Sequence, residues 1–95
     1  MAAYLVVNLT LHDPAGYEQY KAAVPALLAK HGGEYLARGG ACEVIEGDWR
    51  PNRLVLVRFP DLASAKAFLR DPEYQPIKAL RTRAAHSDMV LVDGV

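Results

Sequence analysis

A single cysteine, Cys42, stands in a chain of 95 residues. One thiol excludes an intramolecular disulfide and any metal site built from several cysteines, and it fits a reducing, cytoplasmic setting. Long hydrophobic runs are missing too. No stretch approaches the roughly 20 consecutive apolar residues of a membrane span, and the opening run Met1 to Asn8 lacks the basic n-region of a secretory signal. Neither charge is in excess, since 11 Lys+Arg offset 11 Asp+Glu for a formal net charge of +0. Without a block of like charge there is no electrostatic footprint for nucleic acid or an anionic membrane. Glycine-rich phosphate loops and a Ser-His-Asp order are absent, and no paired carboxylates suggest a glycosidase. No cofactor is expected, and no metal.

Hydrophobic residues make up 52% and charged residues 23%, the balance of an ordered globular protein. Residues 1–95 are expected to form a single domain. A chain this short buries only about 60–65% of the surface its unfolded form exposes, so a partner subunit would add materially to its stability.

Hydrophobic periodicity orders the elements. Tyr4 to Leu11 reads as a strand, with Leu5, Val7, Leu9 and Leu11 on one face and Tyr4, Val6, Asn8 and Thr10 on the other. Asp13-Pro14 opens a helix whose Tyr17, Tyr20, Val24, Leu27, Leu28 and His31 share a face. Pro25 predicts a kink or a break, because it removes one backbone hydrogen bond and crowds the carbonyl of Lys21. Gly32-Gly33 ends the helix.

A second strand is predicted over Tyr35 to Ile45, bulged at Gly39-Gly40. The loop from Glu46 to Arg53 joins it as a hairpin to a third strand, Leu54 to Phe59. Asp61 caps a second helix, with Leu62, Ala65, Phe68 and Leu69 buried. Asp71-Pro72 divides that region in two and places Tyr74, Ile77, Lys78 and Arg81 on one face of the second piece. Met89 to Val92 is the last strand, approached through His86-Ser87-Asp88.

The order β-α-β-β-α-β predicts an α+β, ferredoxin-like domain with a four-stranded antiparallel sheet. The two helices of such a domain can cover only one face of its sheet. Leu54 and Leu56 nevertheless oppose Val55, Val57 and Phe59, and Val90 and Val92 oppose Met89 and Leu91. An uncovered apolar face predicts a homodimer packed sheet against sheet.

Three stretches carry a family resemblance: Gly32-Gly33-Glu34-Tyr35-Leu36-Ala37-Arg38-Gly39-Gly40, Glu46-Gly47-Asp48-Trp49-Arg50-Pro51-Asn52-Arg53, and Asp71-Pro72-Glu73-Tyr74-Gln75-Pro76. In this order, over nearly the whole chain, the sequence resembles the DUF1330 family of uncharacterised small proteins. The resemblance implies a dimeric α/β-barrel of ferredoxin-like subunits and no agreed activity. The wider structural group includes cofactor-independent monooxygenases, muconolactone isomerases and haem-handling enzymes, an analogy of fold rather than of chemistry.

Candidate ligand-binding residues are Arg38, Arg58, Asn8, Tyr17, His12 and Trp49. Arg38 is either an anion anchor or a structural arginine bonded to backbone carbonyls or to Glu43 or Glu46. Arg58 shares a face with Leu54 and Leu56, so it needs a counter-ion or ligand if helices cover that face and nothing if it lies at the rim. His12, His31 and His86 lack metal-ligand spacing, and a turn or capping role competes with a base role for each. Asn8, Tyr17, Tyr20 and Trp49 could hold a phenolic molecule, as side chains do in cofactor-independent monooxygenases of similar fold. Core packing of the tyrosines and interface packing of Trp49 are the competing readings. Asp48 reads as a turn acid beside exposed Arg50 and Arg53, and Cys42 as a buried inert thiol. The functional expectation is a small dimeric protein binding a small organic ligand between helices and sheet. The alternatives are a cofactor-independent monooxygenase or isomerase, and a non-catalytic structural or interaction dimer.

Overall fold

A computed structural model describes residues 1–95. The elements run β1 (Ala3–Leu11), α1 (Pro14–Lys30), β2 (Glu34–Arg38), β3 (Arg53–Phe59), α2 (Leu62–Arg70), α3 (Tyr74–Ala84) and β4 (Ala85–Asp93). The four strands form one antiparallel sheet in the order β2-β3-β1-β4. This is the ferredoxin-like α+β arrangement, with the second helical region divided at Asp71.

Side-chain chemistry sets the helix boundaries. Asp13 Oδ1 accepts a hydrogen bond from the Gly16 N–H at 3.1 Å, and Asp61 Oδ1 accepts one from the Ser64 N–H at 2.7 Å. Each carboxylate thus satisfies an amide that the helix leaves unpaired. Gly32, at φ +78°, turns the chain out of α1 in the left-handed conformation that costs glycine least. Pro25 does not break α1, which continues through it as one helix. The proline withholds one donor, and the freed carbonyl of Lys21 finds another partner, described below.

β2 is much shorter than the run Tyr35 to Ile45 suggests. It stops at Arg38, because Gly39 adopts φ +73° while its N–H still bonds the Leu54 carbonyl at 2.8 Å. The register shift lies between Tyr35 and Ala37, at Leu36 rather than at the glycine pair. Residues 39–52 form a long irregular hairpin loop in which Cys42 is exposed, not buried. β4 begins at Ala85 directly after α3, so His86, Ser87 and Asp88 belong to the strand itself.

Strand pairing fixes which residues share a face. Leu5 lies between Val57 and Leu91, and Val7 between Val55 and Met89, on the side the helices cover. The core there comprises Ala3, Leu5, Val7, Leu9, Val55, Val57 and Phe59 of the sheet, packed against Tyr17, Val24, Leu27, Leu28, Ala65, Phe68 and Tyr74 of the helices. Phe68 links the layers, its ring 5.6 Å from that of Phe59 and 4.5 Å from that of Tyr74. The opposite face presents Tyr4, Val6, Leu54, Leu56, Val90 and Val92. No helix covers it: Val90 is 62% exposed and Val92 51%.

Candidate functional site

A cleft opens between α1, α3 and the covered face of the sheet. Leu5, Val7, Leu9, Val55 and Val57 make its floor, and Tyr17, Tyr20, Tyr35, Arg38 and Arg81 stand around its walls. A water-sized sphere can reach about 30 Å³ of this cleft, and all of its unfilled space, open solvent included, is about 460 Å³. The reachable part has room for about two waters, at roughly 10–15 Å³ each on this measure. A larger molecule therefore has to occupy the mouth and send only one end inward.

Two local irregularities bring Arg38 to this cleft. The first is the bulge at Leu36. In a regular strand Tyr35 and Arg38, three residues apart, would point to opposite faces. The extra residue places Tyr35 opposite Val57 and Arg38 opposite Val55, both on the helix side. The second is Pro25. Its missing N–H leaves the Lys21 carbonyl without its helical donor, and Arg38 Nη2 donates to that oxygen at 3.0 Å. The Arg38 guanidinium also lies 4.4 Å from the centre of the Tyr35 ring, so it is fixed from two sides.

Arg81 reaches the cleft from α3. It is only 6% exposed. Nη1 donates to Ser87 Oγ on β4 at 2.7 Å, the Tyr20 ring centre lies 5.9 Å from the guanidinium carbon, and the buried Nε has no hydrogen-bond partner. No carboxylate pairs with it. The other cations nearby are engaged: Lys21 pairs with Glu18 at 3.1 Å, and Arg38 is held as described. Arg53 is not the exposed turn residue that its neighbours suggest. It opens β3 on the helix side, 5.3 Å from the Tyr17 ring and packed against Gly39.

Tyr20 and Tyr35 hold their protons. Burial pushes the Tyr20 hydroxyl well above the ordinary tyrosine range, and the Tyr74 hydroxyl 3.1 Å away reinforces the shift. Burial raises Tyr35 as well, with the Arg38 charge opposing. The cleft is thus apolar below, with neutral hydroxyls and fixed cations around it.

Of the residues singled out in the sequence, Tyr17 and Arg38 meet in this cleft and Tyr20 joins them. The others lie elsewhere. Arg58 alternates with Leu54 and Leu56 onto the uncovered face, where its Nη1 lies 3.7 Å from Glu34 Oε1 and both side chains are exposed. Asn8 is on that face too, its Oδ1 accepting from the Asn52 N–H at 3.0 Å while Asn52 Nδ2 donates to Thr10 Oγ1 at 2.8 Å. Trp49 overhangs the same face and, with Val6, Asn8, Asp88 and Val90, bounds an open hollow of about 300 Å³.

The histidines are also outside the cleft. His12 is exposed at the end of β1, its N–H bonded to the Ala84 carbonyl at 3.0 Å. His86 sits exposed beside Asp88. His31 Nε2 lies 2.7 Å from Asp71 Oδ2 at the junction of α1 and α2. That contact foremost, then the Glu73 N–H, lowers the buried Asp71 carboxyl to about 2. No three His, Cys, Asp or Glu side chains come together as a metal site, and no helix is long and apolar enough to cross a membrane.

Arg81 and Tyr74 were visible in the sequence only as members of a helical face shared with Ile77. The signal that could have singled out Arg81 is an arginine on an apolar stripe with no acid one turn away.

A family model described as a domain of unknown function, DUF1330, matches residues 2–95. No curated protein matches the chain by sequence. Among solved structures, a protein of unknown function from Rhodopseudomonas palustris superposes with a TM-score of 0.77 at 18% identity, over 99% of this chain and 82% of that one. SnoaB, a cofactor-independent oxygenase from Streptomyces nogalater, gives 0.69 at 19% identity, over 99% of this chain and 93% of its own. A dimeric ferredoxin-like protein of unknown function from Jannaschia sp. CCS1 gives 0.61 at 15%, over 100% and 99%. At these identities the likeness is one of fold.

Proposed function

The chain belongs to the DUF1330 family, and from that premise we propose that it is a homodimeric protein which binds a small organic molecule in the cleft between its helices and its sheet. The observation that carries this reading is the convergence of Tyr17, Tyr20, Arg38 and Arg81 on one cleft from three separate elements. Apolar floor, aromatic wall and a few fixed polar groups are the usual make-up of a small-molecule site.

A cofactor-independent oxygenase or an isomerase is the second reading, supported by the shared fold of SnoaB. The titratable groups of the cleft favour binding over proton abstraction. A general base working near neutral pH must stand within hydrogen-bonding reach of the substrate. The three histidines lie off the cleft, and Tyr20 and Tyr35 are shifted away from ionisation.

The dimer would form through the uncovered sheet face. Val6, Leu56, Val90 and Val92 make an apolar surface of the kind monomers rarely leave in water. A two-fold axis would cover it with its own copy, with Trp49 at the edge of the contact. The Jannaschia protein of the same fold is dimeric, which supports a dimer here.

Thermal unfolding with millimolar phenols, aromatic acids and their neutral amides tests the ligand reading. At least one class should raise Tm, because whatever binds only the folded state stabilises it, by about 2.7 kcal/mol at a hundredfold excess over Kd. No shift with any compound would refute it. Light scattering at micromolar concentration should return twice the 10.4 kDa chain mass; a monomer would refute the dimer.

A further inference from the structure

We propose that the molecule this cleft takes is a small organic carboxylate, bound through the free edge of the Arg81 guanidinium. The inference deepens the binding role given above and rests on it.

Arg81 is a charge removed from water without a counter-ion. An isolated buried ion costs several kcal/mol unless something of opposite charge or good hydrogen-bonding geometry compensates it. Ser87 Oγ supplies one neutral acceptor, at Nη1. The planar group has two hydrogen-bonding edges of different kinds. The end pairs Nη1 with Nη2, and the side pairs Nε with Nη2. Because Ser87 takes Nη1, the side edge is the unspent one, and its Nε is buried with no partner. Two parallel N–H groups on one edge match the two oxygens of a carboxylate, which accepts both at once.

The surroundings select the rest of the molecule. Leu5, Val7, Leu9 and Met89 beneath and Tyr17, Tyr20 and Tyr35 alongside offer apolar and aromatic contact, and no acidic side chain lines the cavity to repel an anion. The water-accessible space of about 30 Å³ in the cleft admits no more than a compact charged end. An apolar or aromatic body then lies in the mouth beside Arg38. Arg53 also has an unbonded buried Nε, but it does not line the cavity.

Benzoate and benzamide share shape and differ in charge, so titration calorimetry of the unmodified protein with each is the primary test. Benzoate is expected to bind at least tenfold more tightly. Arg81→Met should remove that preference, whereas Arg70→Met, an exposed arginine that does not line the cleft, should retain it. Equal binding of the two compounds would overturn the carboxylate assignment while leaving the binding role intact. Loss of the preference in Arg38→Met, with retention in Arg81→Met, would overturn the choice of anchor. If neither benzoate nor benzamide binds, and no phenol or other aromatic acid does either, this assignment falls together with the binding role. The paired ligands act on the native chain, so an Arg81→Met variant that fails to fold leaves the carboxylate assignment open to refutation.

Discussion

The same strands build two faces of very different fate. On the helix side, Val55, Val57 and Phe59 are buried, and the Phe59 ring packs against that of Phe68. On the other side, Leu54, Leu56, Val90 and Val92 are nearly as apolar but have no intramolecular cover. Hydrophobicity alone does not distinguish the two. What distinguishes them is the polar traffic: the covered face holds a buried arginine, Arg81, and the open face carries solvent-facing pairs such as Arg58 with Glu34. The covered face is core and cleft, and the open face is the one we propose a second copy covers.

One residue of β3 and one of β4 offer the sharpest way to break the comparison. Phe59→Ala removes a side chain that is 0% exposed, and it should cost about 3–5 kcal/mol in urea unfolding, the usual range for truncating a buried aromatic. A loss near zero would mean that this face is not the core. On the open face, Val90→Asp should halve the mass seen by light scattering, with little change in far-UV circular dichroism, because a charge in a sheet-to-sheet contact is left unpaired. An unchanged mass would move the interface elsewhere.

The helix layer should also respond to acid in a way the open face does not. The Asp71 carboxyl, held at about 2 by His31, the Glu73 N–H and Lys30, stays ionised in the folded chain, while in the unfolded chain it takes a proton near the ordinary value of about 3.9. Its contribution is therefore full above about pH 4 and is lost as pH falls toward 2. Asp71→Asn should flatten the stability profile over that interval, and an unchanged slope would show that the contact with His31 is not made in solution. The smallest effect belongs to Arg58→Ala, which opens an exposed ion pair of 3.7 Å and should change stability by no more than about 1 kcal/mol. A larger loss would show that Arg58 is buried by a partner.

Much of this architecture is legible in the chain. Asp13 and Asp61 announce their helices, Asp71-Pro72 announces the division between α2 and α3, and alternation along β1 and β3 separates Leu5 from Val6 and Val57 from Leu56. Alternation also groups Arg58 with Leu54 and Leu56. It does not say which group the helices cover, because both are apolar, and so Arg58 stood as a cleft candidate. Strand ends were harder to read, since Gly39 stops β2 through a left-handed turn while Ala41 to Ile45 still reads as strand by composition. The cleft was legible through Tyr17, Tyr20 and Arg38. Arg81 becomes visible only when α3 is seen to lie beside β4 with Ser87 as its sole polar contact.

The proline in α1 has a consequence for inheritance. Pro25 empties the Lys21 carbonyl, and Arg38 fills it from the far side of a hairpin. Restoring a donor with Pro25→Ala would let the helix reclaim that oxygen and would release Arg38, whereas removing Arg38 alone would strand the carbonyl. The two positions are therefore one genetic unit. Among descendants of this chain they should change together, and a double-mutant cycle should show that replacing both costs less than the sum of replacing each.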